Sequence, residues 1–122
     1  MNNELNEVFI VNAIRTPIGT YQGSLKNIKA DQLGSMVISE VLQKTRFTKD
    51  EIDEVIMGQV LTSGAGQNPA RQAAVNSGIP ITKPAHIVNQ VCGSGLRAVI
   101  SGFQSIKLRE STNVIAGGQE NM

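Results

Sequence analysis

The only cysteine of the chain, Cys92, stands in Val88-Asn-Gln-Val-Cys-Gly-Ser-Gly-Leu96, between a β-prone run and the start of a helical pattern. At a helix start, unpaired backbone N–H groups and the positive end of the dipole stabilise a thiolate. A thiol so placed can fall from a pKa of about 8.5 to roughly 3.5–7.5. The same N–H groups can stabilise an oxyanion developing on a carbonyl that the sulfur attacks. Gly93 and Gly95 remove side chains that would obstruct a bulky substrate. This is the arrangement that acyl transfer through a covalent thioester needs. Set against it is the plain alternative that Cys92 is a small buried residue, since free cysteine is among the most buried types.

Other chemistry-bearing residues carry less. Gly93-Ser-Gly95-Leu-Arg-Ala98 matches the loose G-x-G-x-x-G/A dinucleotide fingerprint. It follows the third predicted strand instead of the first, and the next strand ends in Gly117-Gly118 without the acid that should follow. His86, the only histidine, is six residues from Cys92 and could share its side of a strand. A histidine held by structural hydrogen bonds is the simpler expectation. Arg15, Arg71 and Gln72 read as structural or interface residues, and Glu120 as a turn-stabilising or hydrogen-bonded carboxylate. One cysteine and one histidine leave no multi-thiolate or Cys/His metal site within one chain, so no metal is expected.

The elements that must position these residues follow from pattern. Glu7 to Ala13 is a nearly continuous apolar run, ended by Pro17 and Gly19, and predicts a first strand covered on both faces. From Asp31 to about Lys44, Leu33, Val37, Val41 and Met36, Ile38, Leu42 recur at three- and four-residue spacing, an amphipathic helix. Thr48-Lys-Asp-Glu51 has capping-box spacing. Val55–Leu61 predicts a second strand. Asn68-Pro69 opens a short helix that closes at Gly78. Ala85–Asn89 predicts a third strand, about Cys92 to Arg109 a helix, and Asn113–Ala116 a fourth strand. Alternating strands and helices argue an α/β fold around a mostly parallel sheet. The last helix has a large apolar stripe (Leu96, Val99, Ile100, Phe103, Ile106) opposite small residues (Ala98, Ser101, Gly102, Ser105). Both sides are therefore expected to be buried, and the chain offers few elements for the second.

The 122 residues suffice for one core. A net charge of +1, with three Phe, one Tyr and no Trp, gives no footprint for nucleic acid. No run approaches the roughly 18–20 apolar residues that span a bilayer. Met1 to Glu7 lacks a leader pattern, so a cytoplasmic location is expected.

Several ordered blocks together are specific: Arg15-Thr-Pro-Ile-Gly19, Gly58-Gln-Val-Leu61, Gly66-Gln-Asn-Pro-Ala-Arg-Gln72, Asn89-Gln-Val-Cys-Gly-Ser-Gly-Leu-Arg97 and Gly117-Gly-Gln-Glu-Asn-Met122. Across essentially the whole chain they resemble the N-terminal portion of a thiolase of the acetyl-CoA acetyltransferase type. The resemblance implies a thiolase-like α/β fold, with residues 1–122 as an incomplete N-terminal domain ending after the fourth predicted strand. It implies that Cys92 takes the acyl group from a coenzyme A thioester, its own backbone N–H contributing to the oxyanion hole. The carbanion of a second acetyl-CoA would then attack, giving acetoacetyl-CoA; the reverse is thiolysis. Coenzyme A thioesters are substrates here and no cofactor is implied. The family is oligomeric, with the strand matching Ala85–Asn89 at its dimer contact. Its Gly-His-Pro histidine and the second cysteine of Cys-x-Gly-Gly-Gly are both missing from this chain. A missing C-terminal half supplied by another polypeptide is therefore expected, and the isolated chain is expected to be inactive. The alternative is a truncated, inactive remnant acting at most as an association module.

Overall fold

The computed structural model describes residues 7–122, and the leader reading of the extreme N-terminus otherwise lies outside them. Helix α1 runs Ala30–Lys44, a single 3-10 turn covers Lys49–Glu51, and strand β1 is Glu54–Gly58. Helix α2 is Pro69–Asn76, β2 is Ala85–Val88, α3 is Ser94–Lys107 and β3 is Val114–Gly118. The three strands form one parallel sheet in the order β2-β1-β3.

Strand β1 occupies the middle because its central side chains are all apolar: Val55, Ile56 and Met57 are each at most 1% exposed. Alternation divides their side chains between two layers. Val55 and Met57 join Ile38 and Leu42 of α1 and the alanines Ala70, Ala73 and Ala74 of α2 in one cluster. On the other face, α3 approaches the sheet closely. A Cβ on Gly102 would lie 3.1 Å from Val114 Cγ1, and one on Gly58 would lie 2.4 Å from the Ser94 carbonyl carbon.

Local signals placed several boundaries. Thr48 donates its backbone N–H to Glu51 Oε2 at 2.7 Å, closing the predicted box. Asn68 caps α2 by accepting the Arg71 N–H at 3.1 Å, and its Nδ2 donates to the Ala85 carbonyl at 2.8 Å. Asn68→Ala should therefore cost about 1–2 kcal/mol in urea unfolding, since it removes both a cap and a tie to β2. An unchanged midpoint would show that neither bond contributes.

Asp53, just before β1, accepts the N–H groups of Asn113 and Thr112, at 3.0 and 2.8 Å. These bonds hold its carboxyl below the ordinary 3.8, the Asn113 amide contributing most and Lys83 adding a smaller pull. The stability this adds is present above the unfolded-state pKa and is lost as pH falls through the depressed folded value. The gap in urea midpoint between the wild-type chain and Asp53→Ala should thus be full at pH 7 and narrow below about pH 4. A gap independent of pH would remove Asp53 from this role.

Two expectations are corrected. Glu7–Ala13 belongs to no strand or sheet: among the described residues it makes no backbone hydrogen bond, and Phe9, Ile10 and Val11 are 66–80% exposed. Its composition suits a strand, yet no strand lies beside it, so the sheet has three strands and not four. The second correction concerns α3. Its small side is the side packed on the sheet, with Ala98 fully buried and Gly102 and Ser105 buried. Its large stripe is the uncovered side, with Leu96 68%, Phe103 47% and Ile100 38% exposed.

Candidate functional site

The C-terminal ends of the three strands converge on one side of the sheet, and backbone bonds stitch them together. Gln59 N–H donates to the Val88 carbonyl and Gln119 N–H to the Gly58 carbonyl, at 3.2 and 2.9 Å. Glu120 then bridges two of these exits by accepting the N–H groups of Val60 and Leu61, at 2.8 and 3.2 Å. Beneath lies a buried amide pair, in which Gln119 Nε2 donates to Gln59 Oε1 at 2.9 Å and Gln59 Nε2 to the Leu61 carbonyl at 2.8 Å. Asn121 ties this end to the loop before α1 through the carbonyls of Leu25 and Ile28.

Above these strand ends opens a cleft of about 510 Å³, and Cys92 lines it together with Gly95, Leu61 and Glu120. Cys92 is exposed, so the reading of it as a buried packing residue does not hold. It also stands two residues ahead of α3, outside the helix where the sequence pattern put it. The turn that carries it is tight. Ser94, itself buried, donates its hydroxyl to the Val91 carbonyl at 2.6 Å and accepts the Gln90 N–H at 2.8 Å. Asn89 Oδ1 accepts the Val91 N–H at 2.9 Å.

These bonds hold Val91 at φ 52, a left-handed conformation that a β-branched side chain seldom adopts. Such strain is worth of order 1–3 kcal/mol, against about 0.5–1 kcal/mol for the extra unfolded-state freedom of a glycine. Val91→Gly should therefore raise stability by about 1 kcal/mol, and a lowered urea midpoint would show the turn to be relaxed.

The turn consumes some donors and leaves others. The N–H groups of Gly93 and Ser94 go to the Gln90 and Val91 carbonyls, at 3.1 and 3.2 Å. Among the described residues, the N–H groups of Cys92, Gly95 and Leu96 have no backbone partner. Free amides beside an exposed sulfur can hold the oxygen of a carbonyl that the sulfur attacks. Among the described residues lining the cleft, Glu120 is the one side-chain carboxylate, and two amides already engage it.

The remaining candidates are elsewhere. His86 Nδ1 lies 3.4 Å from Glu54 Oε1, and His86 is not among the residues lining the cleft. Arg71 donates to the carbonyls of Lys83 and Ile81, and Gln72 to those of Ala65 and Gln67, so both brace loops. Among the described residues Arg15 donates to the carbonyl of its neighbour Thr16. Among the described residues no group of three His, Cys, Asp or Glu side chains could hold a metal ion. Sequence reasoning quoted Gly58, Gln59, Ser94 and Gln119 within ordered blocks but gave them no role of their own; in the structure they shape the site. The signal for Gly58 was a glycine at the end of the most apolar strand, a place where another backbone approaches closely.

Comparison with known proteins agrees with this geometry. The model of the thiolase N-terminal domain matches residues 8–122. The chain is 51% identical over 118 residues to the acetyl-CoA acetyltransferase of Pseudomonas aeruginosa, covering 97% of this chain and 30% of that protein. It is 49% identical over 122 residues to the cytosolic acetyl-CoA acetyltransferase of Mus musculus, covering 100% of this chain and 31% of that protein. The crystal structure of the Bacillus anthracis acetyl-CoA acetyltransferase aligns with a TM-score of 0.83 at 36% identity, over 86% of this chain and 27% of that one. The chain thus spans about three-tenths of the length of the relatives it matches. No described helix is long and apolar enough to cross a membrane.

Proposed function

The chain belongs to the thiolase family, matching its N-terminal domain, and from that membership we propose that it supplies the nucleophile of acyl transfer between coenzyme A thioesters. The observation carrying this reading is the exposed Cys92 thiol in a cleft, beside backbone amides that have no backbone partner among the described residues.

In the proposed reaction, the Cys92 thiolate attacks the thioester carbonyl of an acyl-CoA. The carbonyl π electrons move to oxygen, where the amides of Cys92 and Gly95 stabilise the charge. Collapse of the tetrahedral adduct breaks the bond to the coenzyme A sulfur, which leaves as a thiol on taking a proton. A carbanion formed by removing the α-proton of a second acetyl-CoA then attacks the acyl-cysteine, giving acetoacetyl-CoA and returning Cys92. The reverse sequence is thiolysis. Both steps need groups that accept and donate protons, and the cleft holds none free for this. Those groups are assigned to polypeptide of the kind the relatives carry beyond the matched region, so the isolated chain is inactive. A cytoplasmic setting and an oligomeric assembly through the open edge of β2 belong to the same proposal. The second reading is an inactive association module; the exposed apolar stripe of α3 is what favours it.

Intact mass spectrometry after exposure to acetoacetyl-CoA tests the proposal, with the chain alone and co-expressed with the remaining length of the Pseudomonas aeruginosa relative. An acetyl adduct on Cys92 is expected in the co-expressed pair and not in the chain alone. A folded pair that acquires no adduct, or acquires it elsewhere, would overturn the assignment and favour the association module.

A further inference from the structure

The ladder between β1 and β3 is closed at each end by a carboxylate. At the N-terminal end Asp53, on the β1 side, accepts the N–H groups of Thr112 and Asn113, at 2.8 and 3.0 Å. At the C-terminal end Glu120, on the β3 side, accepts those of Val60 and Leu61, at 2.8 and 3.2 Å, one on each oxygen. Gln119 N–H donates to the Gly58 carbonyl at 2.9 Å, so a ladder continued by backbone alone would bring the Val60 N–H to the Gln119 carbonyl. Val60 turns to the Glu120 side chain instead. The two clamps are alike in chemistry and differ in what lies beside them. Glu120 lines the cleft with Cys92, and Asp53 does not.

The strand ends that Glu120 joins are the floor on which α3 begins. Gly58 and Gly118 are partners in the register of β1 and β3. A Cβ on Gly58 would lie 2.6 Å from Gly95 N, and one on Gly118 would lie 3.4 Å from Gly95 Cα. The backbone of Gly95 thus rests on the backbone of both strands, with no side chain between them to absorb a shift. Spreading the two strand ends therefore moves the Gly95 amide relative to Cys92. We propose that Glu120 is a positioning residue for acyl transfer: by holding the ends of β1 and β3 together, it sets the amides of Cys92 and Gly95 where the oxygen of the attacked thioester must sit. This role rests on the acyl-transfer reading above and adds a residue that acts through the backbone, not on the reacting atoms. A carboxylate suits it because both oxygens accept. A glutamine there offers one acceptor and sets its NH2 group against the second amide.

Glu120→Gln and Asp53→Asn, each in the chain co-expressed with the remaining length of the Pseudomonas aeruginosa relative, separate positioning from general support. Two reactions of Cys92 are timed. Acetylation by acetoacetyl-CoA develops an oxyanion, whereas alkylation by iodoacetamide displaces iodide at a saturated carbon and draws on no such amides. Glu120→Gln should slow acetylation at saturating acetoacetyl-CoA at least roughly tenfold, as a displaced reacting geometry does, while alkylation does not fall. Asp53→Asn weakens the matching clamp at the other end, so it should lower the urea midpoint and leave acetylation unchanged. Leu61→Pro deletes the longer of the two Glu120 bonds with the carboxylate intact, and should slow acetylation relative to alkylation in the same sense. It decides the question if Glu120→Gln does not fold. Equal acetylation with and without the Glu120 substitution, parallel loss of both reactions, or an equal loss in Asp53→Asn would each overturn the positioning role and leave the acyl-transfer reading standing. An unsubstituted pair that takes no acetyl group would overturn that reading, and this role with it.

Discussion

Cys92→Ser should abolish acyl transfer in the chain completed by its complementary polypeptide, by on the order of 10⁴- to 10⁶-fold, the scale on which loss of a covalent nucleophile registers in acyl-transfer enzymes. The hydroxyl is nearly the same size, so the turn held by Ser94 and Asn89 should persist. What changes is ionisation. A serine hydroxyl has no accessible anion near neutral pH, whereas a thiol is already partly ionised and is intrinsically the better nucleophile. Steady-state turnover and intact mass should fail together, with unfolding midpoint and association unchanged. Retained turnover would remove Cys92 from the reaction. Loss of association as well would recast it as an interface residue.

The site was legible where it depends on neighbouring residues and illegible where it depends on distant ones. Cys92 could be picked out because a strand signal, two glycines and a helical period meet within nine residues. The cap at Asn68 and the box at Thr48 are likewise interactions across three residues, and both formed as expected. Glu7–Ala13 carries the same local signal as a strand, but whether it pairs is decided by a partner far along a chain. Strand propensity describes fitness for a pleated surface and cannot supply the neighbour.

The faces of α3 teach a related lesson. A large apolar stripe opposite small residues suggested burial on both sides, with few elements of the chain to cover the second. The sheet took the small side, because Gly102 and Ala98 let the helix come within contact of β3 and β1. The stripe was left uncovered. The buried Gln59–Gln119 pair had no sequence signature, since two polar residues far apart in the chain meet only after the strand ends converge. Gln119 Oε1 remains without a partner against Gly34, where a Cβ would lie 1.9 Å from it. That glycine in α1 is thus explained by a side chain arriving from the end of β3.

Gly58→Ala should show how far the Cys92 thiol, the proposed nucleophile, depends on the sheet beneath it. A Cβ there would sit 2.4 Å from the Ser94 carbonyl carbon and 2.6 Å from Gly95 N, which are backbone atoms that no rotamer change can move aside. Gly58 is buried on the central strand, paired to Val88 on one side and Gly118 on the other, so β1 cannot retreat without breaking both ladders. The start of α3 must lift instead, with a cost of about 1–3 kcal/mol for overpacking a filled interior. Because Ser94 also holds the Val91 turn, lifting it shifts Cys92 and the free Gly95 amide together. Urea unfolding should register the stability loss, and acetylation of Cys92 in the completed protein should slow about 10²-fold or more, as misplacement by about an ångström can do. The decisive comparison is with Ala74→Gly, which leaves a cavity in the opposite layer and costs stability without touching the turn. If acetylation falls equally in both variants, general destabilisation accounts for the loss; if it falls only with Gly58→Ala, the close approach of α3 to β1 is what aims the sulfur.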